Sequence, residues 1–292
     1  MNFSKTKKRK IIYLILVIAL AIAGAVGIYD LNDDAVSYSI GTDQLTVHFL
    51  DVGQGDSILI QFPNDSVMLV DAGPDGNGAP VISYLQQQGV NKIDYLVATH
   101  PHADHIGGMT AVIKEFEIDK VYMPKVTHTT KIYEDLLLAI KEKGLKITPA
   151  HAGLDILDQN GLQVTFAAPC SSNYDSLNNY SAVVKIQYGS TSFLLTGDAE
   201  EISEQEMLDE GMDLQADVLK VGHHGSSSST TPAFLKSVAP KYAVISAGAE
   251  NKYGHPHQET LDHLADAGVI VCRTDQDGTI VFVSDGEQVK KI

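Results

Sequence analysis

Four side chains that bind metal ions in proteins fall within six residues of this 292-residue chain: His100, His102, Asp104 and His105. They lie between an apolar, strand-like run and a helix-like run that begins at Met109. Because His100 and His102 are two residues apart, they can close on one metal ion. Asp104 and His105 lie on the next turn of backbone and can reach a second one. Imidazole and carboxylate ligands at this density suit zinc, manganese or iron.

Two carboxylates follow apolar strand-like runs elsewhere in the chain. Asp71 ends such a run just before a glycine-rich turn, and Asp198 follows Thr196 and Gly197 after a second one. Two interpretations of each carboxylate are open from the residues alone. Asp71 is either a turn cap or part of a site. Asp198 is either the N-cap of the next helix or a ligand that bridges two cations.

Three later histidines are candidates for the same site. His223 and His224 follow a strand-like run, and adjacent residues point in different directions, so we expect one of the two to bind metal. We favour His223 as that ligand and expect His224 either to face the substrate or to support the ligands. His255 precedes a proline in a turn; it is either a structural residue or a group that contacts a phosphoryl oxygen or protonates a leaving group.

The elements that must position these residues alternate between strands and helices. Strand-like runs and turn residues fill the chain from Leu45 to Val70, and a helix is predicted over 79–88. A second set of strands begins near Leu162, again with helices between later strands. This order predicts an α/β (α+β) fold of two packed sheets with helices outside.

Five short motifs in this order carry a family resemblance. Besides the cluster at 100–105 they are Phe49–Ser57, Leu69–Gly73, Leu195–Asp198, Leu219–Ser226 and Tyr253–Pro256. Together they resemble the metallo-β-lactamase superfamily and, within it, the extracellular hydrolase domain of ComEC-type competence proteins. The resemblance runs from about Leu45 to the C-terminus. It implies an αββα sandwich with two divalent metal ions, zinc or manganese, at the sheet edges.

The resemblance also implies a role for each candidate. The first metal ion would be held by His100, His102, Asp198 and His223, and the second by Asp104, His105 and Asp198. Asp71 would orient the histidine ligands, since outer carboxylates fix the tautomer of a bound imidazole. The catalytic groups would be Asp104, His224 and His255.

One segment departs from the superfamily pattern. Many members place another histidine before Asp198, whereas this chain has Asn178 and Ser181, which match an N-x-x-S pattern of ComEC-like proteins. Asparagine is a poor ligand for zinc and acceptable for harder cations such as manganese. We therefore expect Asn178 and Ser181 to support the site from outside, and the first metal to be held weakly or by another group such as His128.

The N-terminal residues predict an export segment. Residues 1–10 carry five basic side chains, and residues 11–28 contain no charge, which is close to the length that spans a bilayer. Basic residues prefer the cytoplasmic side, so a single transmembrane anchor would place the rest of the chain outside the cell. A cleaved signal peptide is the alternative. Residues 29–42 are predicted to be a linker and residues 43–292 the hydrolase domain.

Charge and cysteine content limit the function further. The formal net charge is −16, and an acidic domain repels polyanions at long range, which argues against tight non-specific DNA binding. The two cysteines, Cys170 and Cys272, have no metal-binding spacing and do not demand a disulfide.

The function expected from these observations is an exported, membrane-anchored, metal-dependent phosphodiesterase or nuclease acting on extracellular DNA. Its partners would be a phosphodiester substrate and the membrane; the sequence identifies no protein partner. The alternatives are a phosphodiesterase of cell-wall polymers of the teichoic acid type, a β-lactam hydrolase, and a non-catalytic exported metal-binding protein.

Overall fold

A computed structural model describes residues 43–292. The predicted anchor or signal segment at 11–28 and most of the linker lie outside these residues. No helix between residues 43 and 292 is both long and apolar enough to cross a membrane.

Eight strands form the first sheet, in the order β15-β14-β1-β2-β3-β4-β5-β6. They are β1 (Leu45–Phe49), β2 (Ile58–Gln61), β3 (Val67–Val70), β4 (Lys92–Val97), β5 (Glu117–Pro124), β6 (Ile147–Ala150), β14 (Ile280–Ser284) and β15 (Val289–Lys291). The pairs from β3 to β6 are parallel, whereas β1, β2, β3, β14 and β15 pair antiparallel.

Seven strands form the second sheet, in the order β13-β12-β11-β10-β9-β8-β7. They are β7 (Asp155–Gln159), β8 (Leu162–Ala168), β9 (Val183–Tyr188), β10 (Thr191–Leu195), β11 (Val218–Lys220), β12 (Tyr242–Ile245) and β13 (Ile270–Arg273). The pairs from β10 to β13 are parallel.

The helices are α1 (Gly78–Gln87), α2 (Ala103–Ile106), α3 (Met109–Glu115), α4 (Lys131–Glu142), α5 (Glu201–Asp209), α6 (Pro232–Val238), α7 (Gln258–Asp266) and α8 (Thr274–Asp277), with 3₁₀ turns at Leu177–Tyr180 and Gly222–Gly225. Helices α1 to α7 lie between consecutive parallel strands, and α8 lies between β13 and β14, which belong to different sheets. Helix α6 illustrates the local rules, because Thr231 accepts a hydrogen bond from the Phe234 amide and Pro232 occupies the first turn.

Three apolar cores separate four layers. The first lies between the sheets and takes alternate residues of β1, such as Leu45, Val47 and Phe49. The second packs the other face of the first sheet against α1, α3 and α4, and the third packs the second sheet against α5, α6 and α7. The αββα sandwich expected from the sequence is therefore confirmed.

The sheet topology brings the candidate site residues to one edge. Ligands of open α/β sheets bind outside the carboxyl ends of the parallel strands. Here β3 ends at Val70 and β4 at Val97 in one sheet, and β10 ends at Leu195 and β11 at Lys220 in the other. The residues that follow these four strand ends contain Asp71, the histidine cluster, Asp198, and His223 with His224.

Candidate metal centre

Three groups of side chains could each hold a cation. In the group of Asp56, Asp71 and His105 the carboxylates already have partners, since Asp71 pairs with His105 and Asp56 with Lys220. The other two groups meet at one carboxylate. Within each group, one ligand atom per residue lies within 4.8 Å of every other. The three-ligand pocket consists of His100, His102 and Asp198. The four-ligand pocket consists of Asp104, His105, Asp198 and His224. Asp198 belongs to both, so its carboxylate is available to either pocket.

The four-ligand pocket gathers nitrogen and oxygen atoms that have no other partner. His105 Nε2 lies 3.2 Å and His224 Nε2 lies 3.4 Å from Asp198 Oδ1. All three atoms are buried, and none has a hydrogen-bond partner outside this group. Buried polar atoms are normally satisfied, so unpaired atoms that converge on one point call for a shared partner. A divalent cation with imidazole and carboxylate ligands fits this donor set.

Asp71 fixes the orientation of His105. It is fully buried, and its Oδ2 accepts hydrogen bonds from His105 Nδ1 at 2.7 Å and from the Thr99 hydroxyl at 2.6 Å. Its Oδ1 accepts the Thr99 amide at 2.8 Å. Because Nδ1 carries the proton toward Asp71, Nε2 of His105 is left facing Asp198. Outer carboxylates orient metal-binding histidines in this manner.

His224 points inward and His223 does not. His224 is buried, and its Nδ1 donates to the Ser246 carbonyl oxygen at 2.9 Å, so its Nε2 faces Asp104 Oδ2 at 3.4 Å. The side chain of His223 is 25% exposed, with Nε2 3.8 Å from Asp198 Oδ2. The geometry therefore favours His224 as the ligand and does not support our preference for His223.

The backbone explains this reversal. His223 has φ 45° and ψ 48°, and His224 has φ 55° and ψ 23°, so two successive residues adopt the left-handed conformation. Non-glycine residues rarely adopt it, and two in succession redirect the chain sharply. The preference for His223 assumed that adjacent side chains point in opposite directions, as they do in a strand. That assumption does not hold across such a turn.

Charges in the four-ligand pocket compensate one another. Burial opposes protonation of His105 and His224, but the carboxylates of Asp198, Asp71 and Asp104 outweigh burial. They hold the pKa of His105 well above its ordinary value and raise that of His224 to about 9. Protons on these imidazoles neutralise the charge of the carboxylates, as a bound cation also would. Metal binding here should therefore release these protons.

In the three-ligand pocket, burial rather than neighbouring carboxylates decides the protonation of the histidine His100. His100 Nε2 lies 2.9 Å from His102 Nδ1 and 3.6 Å from Asp198 Oδ2. Burial, helped by the neighbouring His105, lowers the pKa of His100 well below its ordinary value. The imidazole of His100 is therefore neutral, as a metal ligand must be.

Asn178 and Ser181 border this pocket from different sides. Ser181 Oγ accepts the Asp198 amide at 3.1 Å and lies 3.4 Å from His100 Nδ1. Asn178 instead donates to Glu200 Oε1 at 3.3 Å and lies 3.4 Å from His223 Nδ1. Asn178 is thus outside both groups of ligand atoms, next to His223.

Two further histidines lie at the rim. The ring centroid of His255 is 5.3 Å from that of His223 and 6.2 Å from that of His224. His255 Nδ1 is buried and has no hydrogen-bond partner. The ring of His128 lies 6.1 Å from that of His102, outside the three-ligand pocket.

A buried ion pair beside the four-ligand pocket was missed from the sequence. The Lys220 ammonium lies 3.0 Å from Asp56 Oδ2, and both side chains are at most 1% exposed. Asp56 Oδ1 lies 3.5 Å from His224 Nδ1. Burial favours the neutral form of Asp56, but Lys220 and His224 outweigh it and lower the Asp56 pKa to about 2.

One sequence signal points to this pair. Lys220 interrupts the apolar run from Val218 to Val221, and a lysine in a buried strand needs a partner. The partner reaches it through a tight turn in which Gly55 has φ 145° and a Cβ would overlap the Asp104 carbonyl oxygen. The Asp56 amide donates to that same oxygen at 3.2 Å.

Glu200 was also missed, because in sequence it reads as a helix start. Its carboxylate accepts hydrogen bonds from Ser176 Oγ at 2.7 Å and Ser228 Oγ at 3.0 Å, and lies 3.4 Å from His223 Nδ1. Burial raises the Glu200 pKa, but His223 and these donors outweigh burial and lower it to about 2. Glu200 is therefore an anion, and its carboxylate holds His223 at the mouth of the site.

His48 and the two cysteines lie outside the groups of candidate metal ligands. His48 is buried between the Tyr84 hydroxyl at 2.9 Å and Gln61 Oε1 at 3.2 Å. Cys170 and Cys272 are free thiols.

Comparison with protein families identifies the chain. Residues 50–249 match the model of the metallo-β-lactamase superfamily, and the chain belongs to that superfamily. This result agrees with the hydrolase-type sandwich and with the His and Asp groups suited to a binuclear metal site.

Curated relatives refine the resemblance. The chain is 36% identical over 253 residues to ComE operon protein 3 of Bacillus subtilis, covering 81% of this chain and 32% of that protein. It is 28% identical to competence protein ComA of Neisseria gonorrhoeae, covering 85% of this chain and 34% of that protein. The resemblance to ComEC-type competence proteins is confirmed, and the chain spans about a third of the length of these relatives.

Solved structures support the fold alone. A metallo hydrolase from Ignicoccus hospitalis, Igni18, superposes with a TM-score of 0.52 at 18% identity, covering 81% of this chain and 98% of that one. The diiron β-hydroxylase CmlA from Streptomyces venezuelae gives a TM-score of 0.54 at 13% identity, covering 85% of this chain and 54% of that one.

Proposed function

We propose that this protein is a metal-dependent phosphodiesterase that cleaves nucleic acid outside the cell. The observation that carries the proposal is the pair of adjacent pockets that share Asp198. Two-metal sites of this kind stabilise both the attacking and the leaving oxygen of an in-line displacement. The names of the relatives, which refer to competence, add support for a DNA substrate.

One set of residues would hold the cations, and another set would bind the substrate. His100, His102 and Asp198 would hold one divalent cation, zinc or manganese, and Asp104, His105, Asp198 and His224 the other. When bound, such cations lower the pKa of a coordinated water and neutralise charge on phosphoryl oxygens. Asp71 and the Ser246 carbonyl keep the Nε2 atoms of His105 and His224 directed at Asp198.

Two rim histidines are placed to contact the phosphodiester. His255 has an unpaired Nδ1 in the wall of the site, and His223 is partly exposed and held by Glu200. An N–H group from either ring can donate to a phosphoryl oxygen and orient the phosphate over the shared carboxylate. Positioning of this kind accounts for a large part of catalysis in phosphoryl transfer.

The cellular location is a separate part of the proposal. The charge-free segment at 11–28, preceded by five basic residues, favours a single-pass anchor with residues 43–292 outside the membrane. Protease treatment of intact cells should digest an epitope at the C-terminus and spare one at the N-terminus. Protection of the C-terminal epitope would contradict the outward orientation.

The activity is tested with the full-length protein supplied with manganese or zinc. We expect cleavage of end-labelled DNA that EDTA and Asp104→Ala both abolish. Asp213→Ala is the matched control, because this carboxylate is 80% exposed and belongs to neither pocket. Absence of cleavage in the wild-type protein would contradict the nuclease proposal.

A second candidate substrate is a cell-wall polymer linked by phosphodiesters, of the teichoic acid type. The net charge of −16 favours it, because long-range repulsion weakens binding of a long polyanion such as DNA. Hydrolysis of a small generic phosphodiester without cleavage of DNA would select this candidate. Metal binding without hydrolysis of any phosphodiester would select the non-catalytic alternative.

A further inference from the structure

A rigid loop carries an aromatic side chain beside the metal centre. Asn251 clamps this loop from inside: its Nδ2 donates to the carbonyl oxygens of Gly248 at 2.9 Å and His255 at 2.6 Å. Its Oδ1 accepts the amides of Tyr253 at 3.2 Å and His255 at 3.0 Å. Because both ends of the turn are tied to one side chain, the backbone that carries Tyr253 is held in place.

Tyr253 is exposed although it is large and aromatic. It is 53% exposed, and among the exposed large apolar side chains of residues 43–292 it is the one aromatic; the others are Leu138, Ile147, Ile202, Ile270 and Ile292. Aromatic rings are costly to leave in water and are enriched where another molecule binds. The position therefore points to a ligand with a flat apolar face.

Three rings lead from the four-ligand pocket to the solvent. His224 and His255 have centroids 6.2 Å apart with planes inclined by 28°. His255 and Tyr253 have centroids 5.7 Å apart with planes inclined by 23°. Tyr253 is thus two ring contacts away from His224, within reach of a group that flanks a phosphate bound at the pocket.

The charges of the loop and of the whole chain indicate what kind of ligand fits beside Tyr253. Lys252 is exposed, and its ammonium lies 5.1 Å from the Tyr253 ring centroid on a flexible stem, so it can leave the ring and pair with a phosphate. The chain as a whole carries −16, so long-range attraction cannot supply affinity for a polyanion. Local contacts that do not depend on net charge must supply it instead.

We propose that Tyr253 is a stacking platform for a nucleobase of single-stranded nucleic acid, next to the phosphodiester bound at the metal centre. This inference rests on the proposed nuclease function. Stacking on an aromatic ring tolerates any base sequence, because every base has a flat face. In a duplex both faces of a base are already covered, so single strands and frayed ends are the substrates that can use the platform.

The test compares binding and cleavage of short single-stranded oligonucleotides by the full-length protein with manganese. One oligonucleotide is intact, one has abasic positions around the cleaved bond, and one carries the fluorescent base 2-aminopurine there. The variants are Tyr253→Ala and Tyr253→Phe, which keeps the ring. Ile270→Ala is the matched control, since Ile270 is 52% exposed and begins β13, far from the carboxyl ends of the parallel strands.

We expect Tyr253→Ala to raise KM for the intact strand at least about fivefold, with little change for the abasic strand. Tyr253→Phe and Ile270→Ala should stay within about twofold of the wild-type protein, which is below the stacking effect. The 2-aminopurine fluorescence should be quenched on binding to the wild-type and Tyr253→Phe proteins and not to Tyr253→Ala.

The test separates results that refute the stacking platform alone from a result that refutes the nuclease proposal as well. If the wild-type protein cleaves DNA and Tyr253→Ala has the same KM for intact and abasic strands as the wild type, the stacking platform is refuted and the nuclease proposal stands. If Tyr253→Ala impairs both strands equally, Tyr253 has a structural role and the platform is again refuted. If the wild-type protein neither binds nor cleaves any oligonucleotide, both proposals fail.

Discussion

The two cation pockets share one carboxylate but differ in how completely they are built. In the four-ligand pocket, His105 is held by Asp71 and His224 by the Ser246 carbonyl, so both rings are fixed before a cation arrives. In the three-ligand pocket, His100 is buried but His102 is partly exposed. The nearby amide, Asn178, donates its Nδ2 to Glu200, and its buried Oδ1 has no hydrogen-bond partner.

The imidazoles of the four-ligand pocket are therefore both preorganised, whereas in the three-ligand pocket His100 lies near Thr99 and Ser181 and His102 is partly exposed. Outer partners of metal ligands contribute about 10–100-fold to affinity. We therefore expect a tight cation in the four-ligand pocket and a weaker, exchangeable one in the three-ligand pocket. An exchangeable cation can leave room for substrate oxygens to enter the coordination shell.

The largest effect is expected from Asp198→Ala, which removes the carboxylate that both pockets share. Cation content should fall below one per chain, and the rate of phosphodiester cleavage should fall by about 10³-fold or more, since each cation supplies several kcal/mol. Metal analysis and kinetics measure both. Asp213→Ala should retain wild-type metal content, and an Asp198→Ala protein with two tightly bound cations would contradict the shared-ligand geometry.

Lys220→Met should act on the four-ligand pocket through stability. It leaves the Asp56 carboxylate buried and unpaired beside His224, and breaking a buried pair from one side costs about 3–5 kcal/mol. Urea unfolding measures the loss. The double variant Lys220→Met, Asp56→Asn should recover most of it, because no buried charge is left; no recovery would mean that Lys220 acts by packing.

The adjacent histidines offer a matched pair of variants. His224→Ala should weaken the tight cation by about 100-fold, since it removes a ligand together with its fixed orientation. His223→Ala should leave that affinity within about threefold and lower activity instead, because His223 lies at the mouth beside Glu200. Isothermal titration with each variant separates the two, and the opposite pattern would restore the order expected from the sequence.

The smallest effect is expected from His128→Ala. The His128 ring lies 6.1 Å from that of His102, and Nδ1 of His128 is 3.0 Å from the Thr130 hydroxyl. Removing it should change the affinity of the three-ligand pocket by less than about threefold, because His128 belongs to none of the groups of candidate ligands. A loss of one cation from the variant would show that His128 completes this pocket.

The sequence was sufficient wherever chemistry is encoded locally. The candidate ligands at 100–105 lie close in the chain, and Asp71 and Asp198 follow apolar strands, so topology alone brings them to one edge. The order of His223 and His224 was not predictable, because two left-handed residues reverse the expected directions.

Other features depend on contacts that only the folded chain creates. The pair of Asp56 and Lys220 joins residues from opposite sheets of the sandwich. Edge strands were missed for a different reason: β6 is largely exposed and contains Pro149, so it lacks the apolar alternation by which a strand is recognised. Local pattern predicts a buried strand better than an edge strand.

Calorimetric titration of the metal-free, full-length protein with manganese or zinc at pH 7 tests the central claim most directly. Repeating the titration in buffers of different ionisation enthalpy also gives the number of protons released in each binding step. We expect two unequal steps, the tighter of which releases about two protons, because His105 and His224 both have raised pKa values. The weaker step should release almost none, because the pKa of His100 is lowered. A single step, or two equivalent steps with equal proton release, would contradict the presence of two unequal pockets that share Asp198.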